Sequence, residues 1–301
     1  MKNWTLTFWS TGHAPVNDGQ TFGCASHGIA TADFWRGPEE VATAGWLDNG
    51  VRGEVLSGTY ATVLAQLEKL AWKPAAAIVL FSQAVGMETF LKQWQDLLPG
   101  VPVAGGGAAR GAGQVRGELL PTAEEVAVLL LAEGTWRTES LNVHEHGRGV
   151  EFRATGLRTL THLREDPASD WVAAADYFRI CQAGCGRAEG DCESITFSDV
   201  GGRNVHVSFD GDRLNTGADL PADGRLVLRT VTRPEVAGQL AGFCATPNAL
   251  VFGCAGLRGL LDAPLTVAEG TLASFMFGEL VTLNRQPQFG NLMASRLMRE
   301  S

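Results

Sequence analysis

The 301-residue chain sets 24 Lys and Arg against 33 Asp and Glu, a net charge of −9, with 45% apolar residues. That balance argues against a nucleic-acid partner, which needs clustered cations, and the apolar fraction suffices for a large core in two domains or two fused halves. No apolar run nears the roughly 20 residues of a membrane span, residues 4–9 are too short for a secretory core, and six cysteines read as free thiols. A cytoplasmic protein without membrane insertion is expected.

In chain order, TLTFWS (5–10) reads as a strand, and FGCASHG (22–28) as a glycine-rich turn crowding Cys24, Ser26 and His27. Cys24 and His27 stand three apart, a spacing for a nucleophile and its base, with no third group to orient the pair. After Thr59, Val63, Leu64, Leu67 and Leu70 mark one apolar helix face. A strand over 77–82 leads to a helix on which Met87, Phe90, Leu91, Trp94, Leu97 and Leu98 align, ended by Pro99-Gly100. A strand over 101–104 then runs into Gly105, Gly106 and Gly107. These would let the backbone approach a ligand or present N–H groups to an anion; no Lys-Ser/Thr follows, so this is no P-loop, and a tight structural turn is the main reading. An internal repeat pairs residues 6–10 with 78–82, 23–28 with 105–110, and 39–42 with 124–127. Each unit is a strand, a glycine turn, and a strand introduced by paired glutamates.

Farther on, His144 and His146 alternate and would share a strand face, which suits a metal or a haem iron. The arginines of 148–164 are interleaved with acids and read as a solvated loop. Trp171, Ala174, Ala175 and Phe178 suggest a helix. Cys181, Cys185 and Cys192, three thiols within twelve residues, would serve zinc or an iron–sulfur cluster with a fourth ligand from elsewhere, or form a loop of reduced or redox-active cysteines. Thr232 and Glu235 have capping-box spacing ahead of a stripe of Val236, Leu240, Phe243 and Cys244. The apolar run 249–252 reads as a strand buried on both faces, delivering Cys254 and Arg258 at its exit. A second run, 272–277, delivers Glu279 after Gly278. Arg258 and Glu279 would either pair with each other or hold a polar ligand between them. Alternating strands and helices give an α/β or α+β fold, in two related halves that are each a mixed sheet with helices packed on it.

Phe252-x-Cys254 with an arginine after it, then Phe277-Gly278-Glu279, then Asn291 before an apolar strand, resembles the C-terminal half of FIST domains. The N-terminal strand, the FGCASHG turn, VPVAGGG (101–107) and NVHEHG (142–147) resemble the matching N-terminal region. Two departures stand out: Arg258 follows Cys254 by four residues rather than the family's three, and Gly290-Asn291 replaces a His-Asn pair. The resemblance implies a FIST N-terminal-like domain over 1–147 and a C-terminal-like domain over 148–301. It also implies a sensory domain in intracellular signal transduction that binds a small molecule, or haem as some FIST sensors do. Cys24, Ser26, His27, Gly105, Gly106, Cys254, Arg258, Glu279 and Asn291 would line its ligand site. Arg258 would hold an anionic group, Glu279 an amine or the arginine, and Cys24 or Cys254 would contact the ligand or report redox state. No kinase, receiver, methyl-accepting or F-box pattern is read in the chain, so the expected output runs through a separate signalling protein.

A ligand-binding sensor is therefore expected rather than an enzyme. Two alternatives stay open: a metal-, haem- or cluster-binding redox sensor using Cys181, Cys185, Cys192 or the histidines, and an enzyme using Cys254 or Cys24 as nucleophile.

Overall fold

The computed structural model describes residues 1–10, 21–33, 35–36, 43–82, 85–108, 114–115, 118–119, 126–144, 146–184, 194–199, 201–217 and 219–300. The fold is mixed α/β, consistent with α+β. Its chain groups into two compact units, one formed by Met1–Leu141 with Leu240–Ser301 and the other by Asn142–Gln239. These bounds differ from a cut between 147 and 148, because strands from both ends of the chain share the sheets of the first unit.

The first unit begins with β1 (Lys2–Ser10), the short β2 (Thr21–Phe22), β3 (Ala25–Ser26), β4 (Ile29–Ala30) and β5 (Trp35–Arg36), then β6 (Thr43–Gly58), α1 (Tyr60–Leu67), β7 (Ala76–Phe81), α2 (Met87–Leu97) and β8 (Val103–Gly107). A small hairpin of β9 (Gln114–Val115) and β10 (Glu118–Leu119) precedes β11 (Val126–Leu131) and β12 (Trp136–Asn142). The second unit holds β13 (His146–Thr155), β14 (Thr159–Arg164), β15 (Val172–Ala173), α3 (Ala174–Gly184), β16 (Ser194–Ser198), β17 (Asn204–Val205), β18 (Val207–Asp210), β19 (Arg213–Thr216) and β20 (Arg225–Val231). Helix α4 (Arg233–Cys244) leads back to the first unit and β21 (Ala249–Cys254), α5 (Ala255–Arg258), β22 (Leu272–Met276), β23 (Glu279–Leu283), β24 (Gln286–Gly290) and β25 (Met293–Arg299).

Two sheets build the first unit. One runs β2-β1-β6-β11-β7-β8-β23-β24, with β3 also on β1; the other runs β12-β25-β21-β22-β4-β5. The run VAVLLL of β11 shows how the layers arise, since side chains alternate across a strand. Ala127, Leu129 and Leu131 join Phe8, Leu250, Phe252 and Leu297 in a core between the sheets, where the rings of Phe8 and Phe252 meet edge to face at 5.7 Å. Val126, Val128 and Leu130 face the other way, onto Val63 and Leu67 of α1 and Met87, Phe90, Leu91 and Trp94 of α2. Both helices are where their periodicity predicts. Thr59 caps α1 by accepting the Thr62 N–H, and the chain leaves α2 through Pro99 and a left-handed Gly100.

The expected repeat has a counterpart in strand order. Reading outward from the central antiparallel β6–β11 pair, β1 lies beyond β6 with β2 and β3 parallel to it, and β7 lies beyond β11 with β8 parallel to it. Both copies therefore belong to one sheet of the first unit. The paired glutamates 39–40 and 124–125 lie outside the described residues.

The second unit is an antiparallel sheet, β17-β16-β20-β13-β14-β19-β18 with β15 on β14, and α3 contributes Ala174, Ala175 and Phe178 to its core. The arginines of 148–164 lie largely on β13 and β14, a hairpin rather than the expected loop. Val150, Leu160 and Leu163 turn inward, while Arg148 and Arg153 are exposed.

Candidate functional site

The parallel strands β21 and β22 end side by side, with Cys254 paired in register to Met276. At those ends the sequence supplies turns rather than more strand. Cys254 heads the single turn of α5, and left-handed Gly278 reverses the chain after Phe277 so that β23 opens on Glu279.

Glu279 is fully buried. Its Oε1 accepts the Met293 N–H at 2.7 Å, the Cys254 thiol hydrogen-bonds to the same carboxyl group, and Oε2 has no hydrogen-bond partner. Burial raises the carboxyl pKa well above its ordinary range, against the opposing pull of the Met293 N–H and the thiol. Burial, followed by the Glu279 charge, also raises the Cys254 thiol, while the N–H groups of Gly256 and Leu292 at the sulfur favour its thiolate. Leu292 holds a left-handed φ of 53°, an uncommon backbone state for a branched residue that functional sites retain. Two glycines make room here. A Cβ on Gly290 would stand 3.1 Å from Glu279 Oε1, and one on Gly256 would stand 2.5 Å from a Leu292 methyl and 3.7 Å from Cys254 Sγ.

Arg258, at the far end of α5, does not pair with Glu279; among the described residues it forms no ion pair. Its guanidinium lies 5.8 Å from the Trp35 ring centroid, and its Nε is buried without a partner. The arginine passes so close to Gly28 that a Cβ there would come within 2.8 Å of Arg258 Cδ. His27 is held on this side by its backbone N–H, which donates to the Phe275 carbonyl at 2.7 Å. Its Nε2 is also buried without a partner. Burial first, then the Arg258 charge, keeps the imidazole pKa below its ordinary value. Nine buried side-chain atoms among the described residues lack a partner, and only three belong to ionisable groups: His27 Nε2, Arg258 Nε and Glu279 Oε2.

Other expected site residues are structural. Cys24 is wholly buried in the core between the sheets, and burial alone pushes its thiol up, so it is no counterpart of a catalytic thiol activated by His27. Ser26 is buried, with its hydroxyl 2.7 Å from the Gly28 carbonyl and 2.9 Å from the Phe275 carbonyl, and it accepts from Ser274 Oγ at 3.0 Å; it stitches β3 to β22. Gly105 and Gly106 form no turn. They are inside β8, where a Cβ would fall 1.8 Å from the Val79 carbonyl oxygen and 2.6 Å from Met276 Cβ respectively, so neighbouring strands fill the space expected for a ligand. Asn291 is half-buried in the turn between β24 and β25, and the group delivered to Cys254 from this turn is the N–H of Leu292.

No protein-family model matches this chain, and no curated protein matches it. Its site is therefore read from its own residues.

The metal candidates divide. Cys185 and Cys192 lie outside the described residues. Cys181, on α3, accepts a hydrogen bond from Arg148 Nη2 at 3.2 Å, which puts a cation where a metal ion would bind. His144 is buried with Nδ1 3.4 Å from Asn204 Nδ2, and burial followed by the Arg229 charge lowers its pKa to about 4. It precedes β13 rather than sharing a strand with His146. Around it Asn142 and Asn204 exchange side-chain hydrogen bonds at 2.8 and 3.0 Å, and Arg229 donates to the His144 carbonyl at 3.1 Å. This is the chemistry of a buried structural network. Among the described residues no three His, Cys, Asp or Glu side chains group as metal ligands.

Sequence reasoning missed Trp35 and the backbone of Leu292 and Met293, and read Gly28 and Gly256 only as turn glycines. Only glycine spacing marked any of them, because backbone donors leave no trace in side-chain identity.

Proposed function

We propose that this protein is a FIST-type sensory protein that reversibly binds a small anionic molecule at the ends of β21 and β22 and signals through a separate partner. One observation carries the reading: the only ionisable groups that bury an unpartnered atom among the described residues are His27, Arg258 and Glu279, with His27 beside Arg258 and Glu279 beside Cys254. Buried polar atoms are paired in the great majority of native structures, and an unpaired arginine nitrogen beside a neutral imidazole is a donor for a carboxylate or phosphate group. Thermal-shift measurements with small carboxylates, amino acids and phosphate esters test this. A ligand at about 100 times its Kd stabilises by about 2.7 kcal/mol, which raises the melting temperature by several degrees, and Arg258→Ala abolishes the shift. If no anion moves the wild-type midpoint, the reading fails.

A further inference from the structure

We infer that Cys254 and Glu279 form a nucleophile–base pair that adds the thiol reversibly to an α,β-unsaturated carbonyl group of the bound molecule. This rests on the ligand site proposed above and gives its occupant a chemical class. The thiol hydrogen-bonds to a carboxyl group that is fully buried and has one oxygen unused. Once ionised, that carboxyl group is a proton acceptor in a dry setting, which is what a weakly acidic thiol needs as its base. The N–H groups of Gly256 and Leu292 are directed at the sulfur. They favour the thiolate that develops during attack, and being spent on sulfur they do not form a hole for the oxyanion of acyl transfer. His27 lies beside Arg258 rather than at the sulfur, so no leaving-group acid is placed there. Addition without a leaving group is the chemistry that fits.

The step balances. As the Sγ–C bond forms at the β-carbon, Glu279 takes the thiol proton and the C=C electron pair moves onto the carbonyl as an enolate. Glu279 then returns the proton to the α-carbon. Nothing leaves and no oxidant is consumed, and the reverse path releases the ligand with the thiol regenerated, as a sensor requires. Access is built in at Gly256, which is exposed while Cys254 beneath it is 6% exposed. A methyl group on Gly256 would lie 3.7 Å from the sulfur.

The probe is N-ethylmaleimide, an unsaturated carbonyl compound, applied to the full chain across a pH series with peptide mapping of every adduct. Cys254 is expected to add the reagent despite its burial, with a rate that rises with pH through the raised titration of Glu279. Gly256→Ala, whose methyl group displaces only a flexible leucine end, is expected to slow Cys254 at least tenfold. Glu279→Gln is expected to slow it at least tenfold and to remove the inflection. Cys254 left unmodified in the folded protein while half-buried Cys181 reacts overturns the inference, as does a Glu279→Gln rate equal to wild type. Should Glu279→Gln fail to fold, the wild-type profile and Gly256→Ala decide. The maleimide does not need Arg258, so this result is independent of the anion thermal shift, and each reading can fail alone.

Discussion

Two buried titrations set the pH response of single residues, with opposite signs. The folded chain holds the Glu279 proton to higher pH than the unfolded chain, whose carboxyl titrates near 4.5. The native state therefore binds more protons above that value, and stability falls as pH rises toward the raised folded value. Glu279→Gln should abolish this dependence. From about pH 5 to about pH 9 the urea midpoint should fall further for wild type than for the variant, and parallel changes would refute it. His144 works the other way. Its folded pKa of about 4 lies below the ordinary 6.5, so the unfolded chain takes up the proton first and stability is lost as pH falls through that window. The full loss is about 3 kcal/mol at most. His144→Gln should flatten the acid limb of the stability profile, and an unchanged limb would show that the imidazole titrates alike in the folded and unfolded chains.

At the scale of elements, β8 makes the sharpest prediction. Gly105→Ala drives a methyl group into the Val79 carbonyl of the adjacent parallel strand and should cost roughly 3 kcal/mol or more. Gly149→Ala in β13, where a Cβ meets nothing within 4 Å, should change stability by about 0.5 kcal/mol or less. Equal melting temperatures for the two variants would contradict this packing. The same glycines show what the sequence could and could not convey. Helices α1, α2 and α4 were legible because 3.6-residue periodicity and caps are local, and the Thr232–Glu235 capping box forms, with Glu235 Oε2 accepting the Thr232 N–H at 2.8 Å. Strand ends at Cys254 and Glu279 were legible because an apolar run stopping at a polar residue is local too. Gly105 and Gly106 looked like a turn because close approach between strands and a sharp bend both demand glycine. Nothing within residues 103–107 tells the two apart. The missing Arg258–Glu279 pair has a similar cause: charge complementarity is visible in sequence, whereas which side of a short helix each group occupies is decided by packing.

At the scale of the whole molecule, the two titrations belong to different compact units, Glu279 to the first and His144 to the second. Hydrogen exchange should therefore lose protection first within 142–239 on acidification, and first in the strands of the other unit at high pH. Simultaneous loss across the chain in both directions would show that the units open as one. The Asn142–Gln239 unit is continuous in sequence, whereas the other is assembled from both ends. Its β4 pairs with β22 across more than 240 residues, and β23 pairs with β8 across more than 170. Strands that distant close late, because loop entropy must be overcome before the contacts stabilise anything. During synthesis on the ribosome, the 142–239 unit can complete itself while β4 waits for β22, β8 for β23 and β12 for β25. The His27 backbone meets β22, and Glu279 meets Cys254, only when the final strands emerge. The proposed ligand site is thus the last feature the nascent chain completes, and a translation product that stalls before β22 lacks Glu279.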